Sequence, residues 1–171
     1  MDRDKEMGEG YNGSGNAVNE IFGSLYFDDF YIGQKFVTKA RTVTEEDVVN
    51  FAALSWDHNR LHTDAEYAAS TKYGQRIAHG LLGMIIHSGL AYQLTEESIL
   101  AFLELTWQFK LPIYIGDTIH VEQTVKEMRE ISKPNQGILT FEKEVFNQKG
   151  DVVQTGTTTI LIAKRCYGQE V

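Results

Sequence analysis

The stretch Ser55–Asp64 reads SWDHNRLHTD and gathers two acids and two histidines into ten residues. Three chemistries fit that spacing. His58 and His62 stand four apart, so on a helix they could hold zinc with Asp57 or Asp64 as third ligand. The segment lacks the glutamate of the HExxH pattern, however, and Arg60 places a cation beside the would-be metal, so no metal is expected. Asp57 and His62 stand five apart, on different faces of an ideal helix but able to converge across a loop, where a carboxylate and an imidazole can share a water as a general acid/base pair. The third reading is a polar loop in which Asn59 forms a local turn and Asp64 caps a following helix.

The elements around this stretch must bring it to a substrate. Before it, Thr44 opens TEEDVVNFAALS, an N-cap with acids in the first turn and an apolar face at Val48, Phe51 and Ala52. After it, Asp64 begins a short helix through Ser70, and TKYGQR makes a turn. His79–Leu94, HGLLGMIIHSGLAYQL, is apolar nearly all round, so it is expected to be a helix buried on every side. Its three glycines each cost about 1 kcal/mol in a helix interior, and close approach of another backbone is the expected reason. Its first N–H groups are unpaired and carry positive partial charge, which suits a developing oxyanion at Gly80. Ser88, two turns on, shares a side with Gly80 and is placed to bond an acid such as Asp57. His79 reads more readily as a capping or hydrogen-bonded core histidine than as a ligand, and Ser88 has the alternative of bonding its own helix backbone.

The rest of the chain supplies a sheet. Alternation from Gln34 suggests a first strand. ILAFLELTWQFKL, TIHVEQTVKEMREI, GILTFEKEVFN and DVVQTGTTTILIAK are rich in β-branched and aromatic residues, and short connectors favour antiparallel pairing. One long buried helix with about five antiparallel strands predicts an α+β fold, a curved sheet wrapped round the helix. A single sheet of this kind leaves an edge and part of a helix face open, so edge-to-edge dimerisation is expected.

Residues 1–20 are polar and Gly/Asn-rich and are expected to form a flexible tail before a single domain over 21–171. The N-terminus shows neither a secretory nor a transit pattern, and no apolar run is long enough to span a membrane, so a cytoplasmic setting is expected. A formal charge of −8 disfavours nucleic-acid and anionic-membrane partners. Cys166 is the lone cysteine and reads as incidental.

Together DHNRLHTD, KYGQRIAHGLLGMIIHSGL, PIYIGDTIHVEQTV and GILTFEKEVFNQKGDVV resemble the MaoC-like dehydratase family, the hotdog-fold (R)-specific enoyl-CoA hydratases, from about Tyr26 to Lys164. The resemblance implies a hotdog fold, a homodimer or larger homo-oligomer, an acyl-CoA thioester as substrate, and no metal or other cofactor. It implies reversible syn addition of water across a trans-2-enoyl-CoA, as in fatty acid metabolism. By position Asp57 and His62 would be the catalytic dyad, Gly80 would offer its N–H to the thioester carbonyl, and Ser88 would orient Asp57. Asn59, Arg60, His79 and Trp56 would border the substrate. Lys72, Arg76, Lys110 and Lys133 are candidates for the CoA phosphates.

Two departures stand out. Arg60 replaces the family's usual proline, either as a cation for a dicarboxylic acyl group or, the preferred reading, in a solvent-facing salt bridge. Trp56 replaces a common glycine and is expected to pack or to wall the pocket. A hotdog thioesterase and a non-catalytic acyl-CoA binding module are the competing readings.

Overall fold

The computed structural model describes residues 9–11, 17–19, 24–133 and 135–165. Two three-residue strands, β1 (Glu9–Tyr11) and β2 (Ala17–Asn19), pair antiparallel. The expected flexible tail otherwise falls on residues outside those described, as does Cys166. A 3-10 turn at Phe27–Asp29 leads into β3 (Lys35–Val37) and β4 (Arg41–Thr42). Next come α1 (Glu45–Ser55), the single turn α2 (Arg60–Thr63), α3 (Ala65–Ala69) and the central helix α4 (Gly80–Ala91), extended by a 3-10 turn at Tyr92–Leu94. Four long strands follow, β5 (Ile99–Phe109), β6 (Thr118–Glu130), β7 (Gln136–Phe146) and β8 (Val152–Ala163).

Strands β3 to β8 form one sheet in the order β3-β6-β7-β8-β5, with β4 also pairing β6, separate from the β1-β2 pair, and every pairing is antiparallel. Bulges interrupt the ladders, as at Val125–Glu127 in β6 and Phe102–Glu104 in β5, and such irregularities bend a sheet. The bent sheet encloses α4 in two apolar clusters. At the helix's N-terminal half, Leu82 and Ile86 meet Val48 and Phe51 of α1 and Ile119, Val121, Val145 and Val153 of the sheet. Beyond its C-terminal end, Leu94 meets Phe27, Phe30, Phe36, Phe141 and Ile162. The α+β architecture anticipated from the strand-rich second half is therefore the one observed.

Two expectations about α4 need correction. The helix is not buried on all sides: Leu81, Ile85 and Tyr92 are exposed, and so are Ser88 and Gly89. The apolar composition of that face therefore has no counterpart within one chain. Nor are the helix glycines explained by another backbone. A Cβ at Gly83 would meet the side chains of Gln154, at 2.5 Å, and Ile113, at 2.6 Å, while Gly89 faces open space.

Candidate active site

The segment from Ser55 to Asp64 is held on both sides. Thr44 caps α1, accepting from Asp47 N–H while Asp47 accepts from Thr44 N–H. At the other end of α1, Trp56 takes a left-handed conformation (φ 61°), which costs an L-residue about 1–2 kcal/mol and which glycine adopts freely. Trp56 is 85% exposed, so within this chain it neither packs nor walls a pocket, contrary to expectation. The segment to Asp64 is less loop-like than its polarity suggested, because Asn59 accepts from Leu61 N–H and starts the turn α2. Asp64 accepts from Tyr67 N–H and caps α3, as expected.

Three hydrogen bonds then stitch this segment to the approach of α4. Ile77 N–H donates to the Leu61 carbonyl at 3.2 Å. His62 Nδ1 lies 2.8 Å from the Ile77 carbonyl, and His79 Nε2 lies 2.9 Å from the Asp57 carbonyl. A carbonyl only accepts, so His62 carries its proton on Nδ1 and His79 on Nε2. His62 thus keeps Nε2 as its basic atom. The two imidazoles stack, with centroids 3.9 Å apart and planes 32° off parallel, and Phe51 also packs against His79. His79 is 2% exposed, its Nδ1 has no partner among the described residues, and burial holds its pKa below the usual histidine value.

One donor atom each from Asp57, His62 and His79 lies within 4.8 Å of the other two. The cluster is therefore built on His79, expected as a structural or substrate-bordering residue, and not on His58, which is exposed. A carboxylate and two imidazoles are a ligand set for a divalent cation. A carboxylate and an imidazole this close are also able to share a single water as an acid/base pair.

Gly80 N–H opens α4 with no intrahelical partner, and His79 supplies no side-chain cap. Gly80 is held from behind, because its carbonyl accepts from Gln154 Nε2 at 2.9 Å and Gln154 Oε1 accepts from Trp107 Nε1 at 3.0 Å. Gln154 was not singled out in the sequence, although a glutamine in the β-branched run of β8 was a signal. A cleft of about 400 Å³ opens in front, lined by His62, His79, Gly80, Phe109, Lys72 and Lys110 among others. Of the four basic candidates, Lys72 and Lys110 border this cleft. Arg76 pairs with Glu45 at 2.7 Å, and Lys133 lies in the β6–β7 connection.

Two further candidates fall elsewhere. Arg60 pairs with Asp64 through Nε at 3.0 Å and a terminal nitrogen at 2.8 Å, with its guanidinium over the Tyr67 ring, so the solvent-facing salt bridge is the arrangement observed. Ser88 makes no hydrogen bond to Asp57 among the described residues, and it lines a separate cavity between α4 and the sheet.

Comparison with known proteins places the chain in a family. Residues 29–146 match the MaoC like domain. An (R)-specific enoyl-CoA hydratase of Aeromonas caviae is 36% identical over 129 residues, 75% of this chain and 92% of that protein. Another from Rhodospirillum rubrum is 33% identical over 141 residues, 82% of this chain and 93% of the relative. A Mycobacterium tuberculosis protein described as having a double hotdog fold superposes with a TM-score of 0.74 at 20% identity, covering 83% of this chain and 45% of that one, a likeness of fold alone. The chain belongs to the MaoC-like domain family and has its hotdog fold.

Proposed function

We propose that the protein is a hydro-lyase that adds water across a trans-2-enoyl thioester, or removes it from the 3-hydroxyacyl thioester, with Asp57 and His62 as the acid/base pair. The observation that carries this reading is the grouping of donor atoms of Asp57, His62 and His79 within 4.8 Å of one another, with His62 lining the same cleft as Gly80 at the start of α4. In hydration the pair takes a proton from water as its oxygen bonds C3. The charge that moves onto the thioester oxygen is held by Gly80 N–H and the N-terminal end of α4. The proton held by the pair then passes to C2, so atoms and charge balance with no external reductant or oxidant. The two similar hydratases support this choice of reaction over thioester hydrolysis.

The working unit in this reading is a homodimer. β5 is the edge of the sheet, and Ile99, Leu100, Phe102, Leu103, Leu105 and Phe109 on it are exposed beside the open face of α4. An edge of this length and apolarity invites pairing. The Gly80 end of α4 lies by Phe109, whereas its Tyr92 end lies by Ile99 and Phe102. Antiparallel pairing of β5 with its copy about a twofold therefore sets the dyad end of one chain against the Ser88 end of the other. That arrangement accounts for the lack of a Ser88–Asp57 hydrogen bond among the described residues: in this reading Ser88 of the partner subunit orients Asp57. In this reading Lys72 and Lys110, which line the cleft, meet the CoA phosphates.

The test is a panel of enoyl and 3-hydroxyacyl thioesters read for hydration, dehydration and thiol release together. Interconversion without thiol release is expected. Thiol release as the main reaction would replace this reading with a thioesterase, and saturable binding without turnover would replace it with a binding module.

A further inference from the structure

The cavity that Ser88 lines, about 820 Å³ between α4 and the sheet, holds two basic side chains that the dyad chemistry does not use. Lys143 lies on β7 in the inward register shared by Leu139, Phe141 and Val145, while Glu142 and Glu144 on either side face outward. It is 7% exposed. Its ammonium has no hydrogen-bond or ion-pair partner among the described residues, and the Phe141 ring lies 5.6 Å from Nζ. Across the ladder stands Gln123, 2% exposed, also lining the cavity. From α4, His87 packs on Trp107 with centroids 4.6 Å apart and is 3% exposed. Its Nδ1 faces the Met84 carbonyl at 3.2 Å, which makes Nδ1 the donor, and its Nε2 is buried without a partner among the described residues. The remaining lining is largely apolar, including Met84, Leu94, Phe102, Phe141 and Ile160.

A buried ammonium without a counter-ion is costly, and buried polar groups are ordinarily satisfied. A cavity that binds only hydrocarbon needs no such group. From this arrangement we infer that the cavity receives the far end of the substrate's acyl chain and that Lys143 selects acyl groups ending in a carboxylate, with Gln123 beside it. This inference rests on the hydro-lyase reading above, and through it on the dimer that turns the cavity mouth toward the partner's dyad. The thioester is gripped at Gly80 of one subunit, and the chain runs past Ser88, Ile85 and Phe102 of the other toward Lys143. The apolar middle holds the methylenes, and the ammonium meets the charge. Lys143 is then a specificity-determining residue and takes no part in proton transfer. Arg60, the sequence's candidate for a second carboxylate, is engaged by Asp64 and does not line this cavity.

The experiment compares two trans-2-enoyl-CoA substrates of equal chain length, one ending in a methyl group and one in a carboxylate. They are assayed with the full-length protein and with Lys143→Met and Lys143→Arg. Methionine has nearly the same length and removes an unpaired buried charge, so a folded variant is expected. The wild-type protein should favour the carboxylated substrate at least about tenfold in kcat/KM, the scale of one charge-assisted hydrogen bond. Lys143→Met should abolish or invert that preference while keeping turnover of the methyl-ended chain, and Lys143→Arg should retain part of it. Equal preference in wild type and Lys143→Met would overturn the inference and leave the hydro-lyase reading intact. If no thioester is turned over, calorimetry with hexanoate and hexanol decides. Binding of hexanoate that Lys143→Met removes supports the carboxylate site although the hydro-lyase reading has failed, whereas no binding, or binding indifferent to Lys143, overturns it.

Discussion

Lys143→Met is expected to make the protein more stable, by an amount that depends on pH. Burial alone lowers the Lys143 pKa from 10.5 to about 8. That gap, at 1.36 kcal/mol per pKa unit, means the folded state carries a penalty of about 3 kcal/mol for the charge. The sign follows from which state binds the proton more tightly. Below pH 8 both states are protonated and the full penalty applies. Between pH 8 and 10.5 the folded lysine has lost its proton while the unfolded one retains it, so stability rises through this window. By pH 10 the penalty has fallen to about 1 kcal/mol. Urea unfolding of wild type and Lys143→Met at pH 7 and pH 10 isolates this effect, because the other titrations are common to both proteins. Methionine should gain up to about 3 kcal/mol at pH 7 and clearly less at pH 10. A gain independent of pH, or a loss at pH 7, would show that the ammonium is not buried unpaired and would refute the reasoning. Proteins keep such costs where function needs them.

Other expectations follow from the same geometry. Gly83→Ala gains about 1 kcal/mol of helix propensity but drives a Cβ into Gln154 and Ile113, so a net loss of about 1–2 kcal/mol in denaturant unfolding is expected. Because Gln154 holds the Gly80 carbonyl, the variant's kcat should fall as well. Phe102→Lys on the exposed edge strand should shift the protein to monomer in light scattering and remove activity together with it. Dialysis against EDTA should leave the hydration rate unchanged, since in the proposed mechanism Asp57 and His62 work on water directly; a loss restored by zinc would assign the cluster to a metal instead.

Short-range structure was legible because its causes are local. Thr44, Asn59 and Asp64 cap the turns that follow them, and Arg60 finds Asp64 one helical turn away, all interactions set by neighbours in sequence. The closeness of Asp57 and His62 was legible for the same reason. His79 was harder to place, because its contribution depends on a bond to a carbonyl twenty-two residues away. Lys143 and His87 were not legible because each looks ordinary in its own element, a charge among glutamates and a histidine in an apolar helix. The alternation Phe141, Lys143, Val145 nevertheless puts the lysine on the inward face. The exposure of Trp56 was hidden because packing cannot be read from residue type, while its positive φ shows why glycine suits that position. The open face of α4 is the clearest case in which composition misled: its apolar residues read as core, yet the single chain leaves Leu81, Ile85 and Tyr92 exposed.

The central claim is that Asp57 and His62 act together on water. The most direct measurement is the initial rate of trans-2-enoyl-CoA hydration by wild type, Asp57→Asn and His62→Ala, with folding verified by circular dichroism. Each substitution should lower kcat by about 10²–10⁴-fold while the fold persists. Near-wild-type hydration by either variant would contradict the assignment.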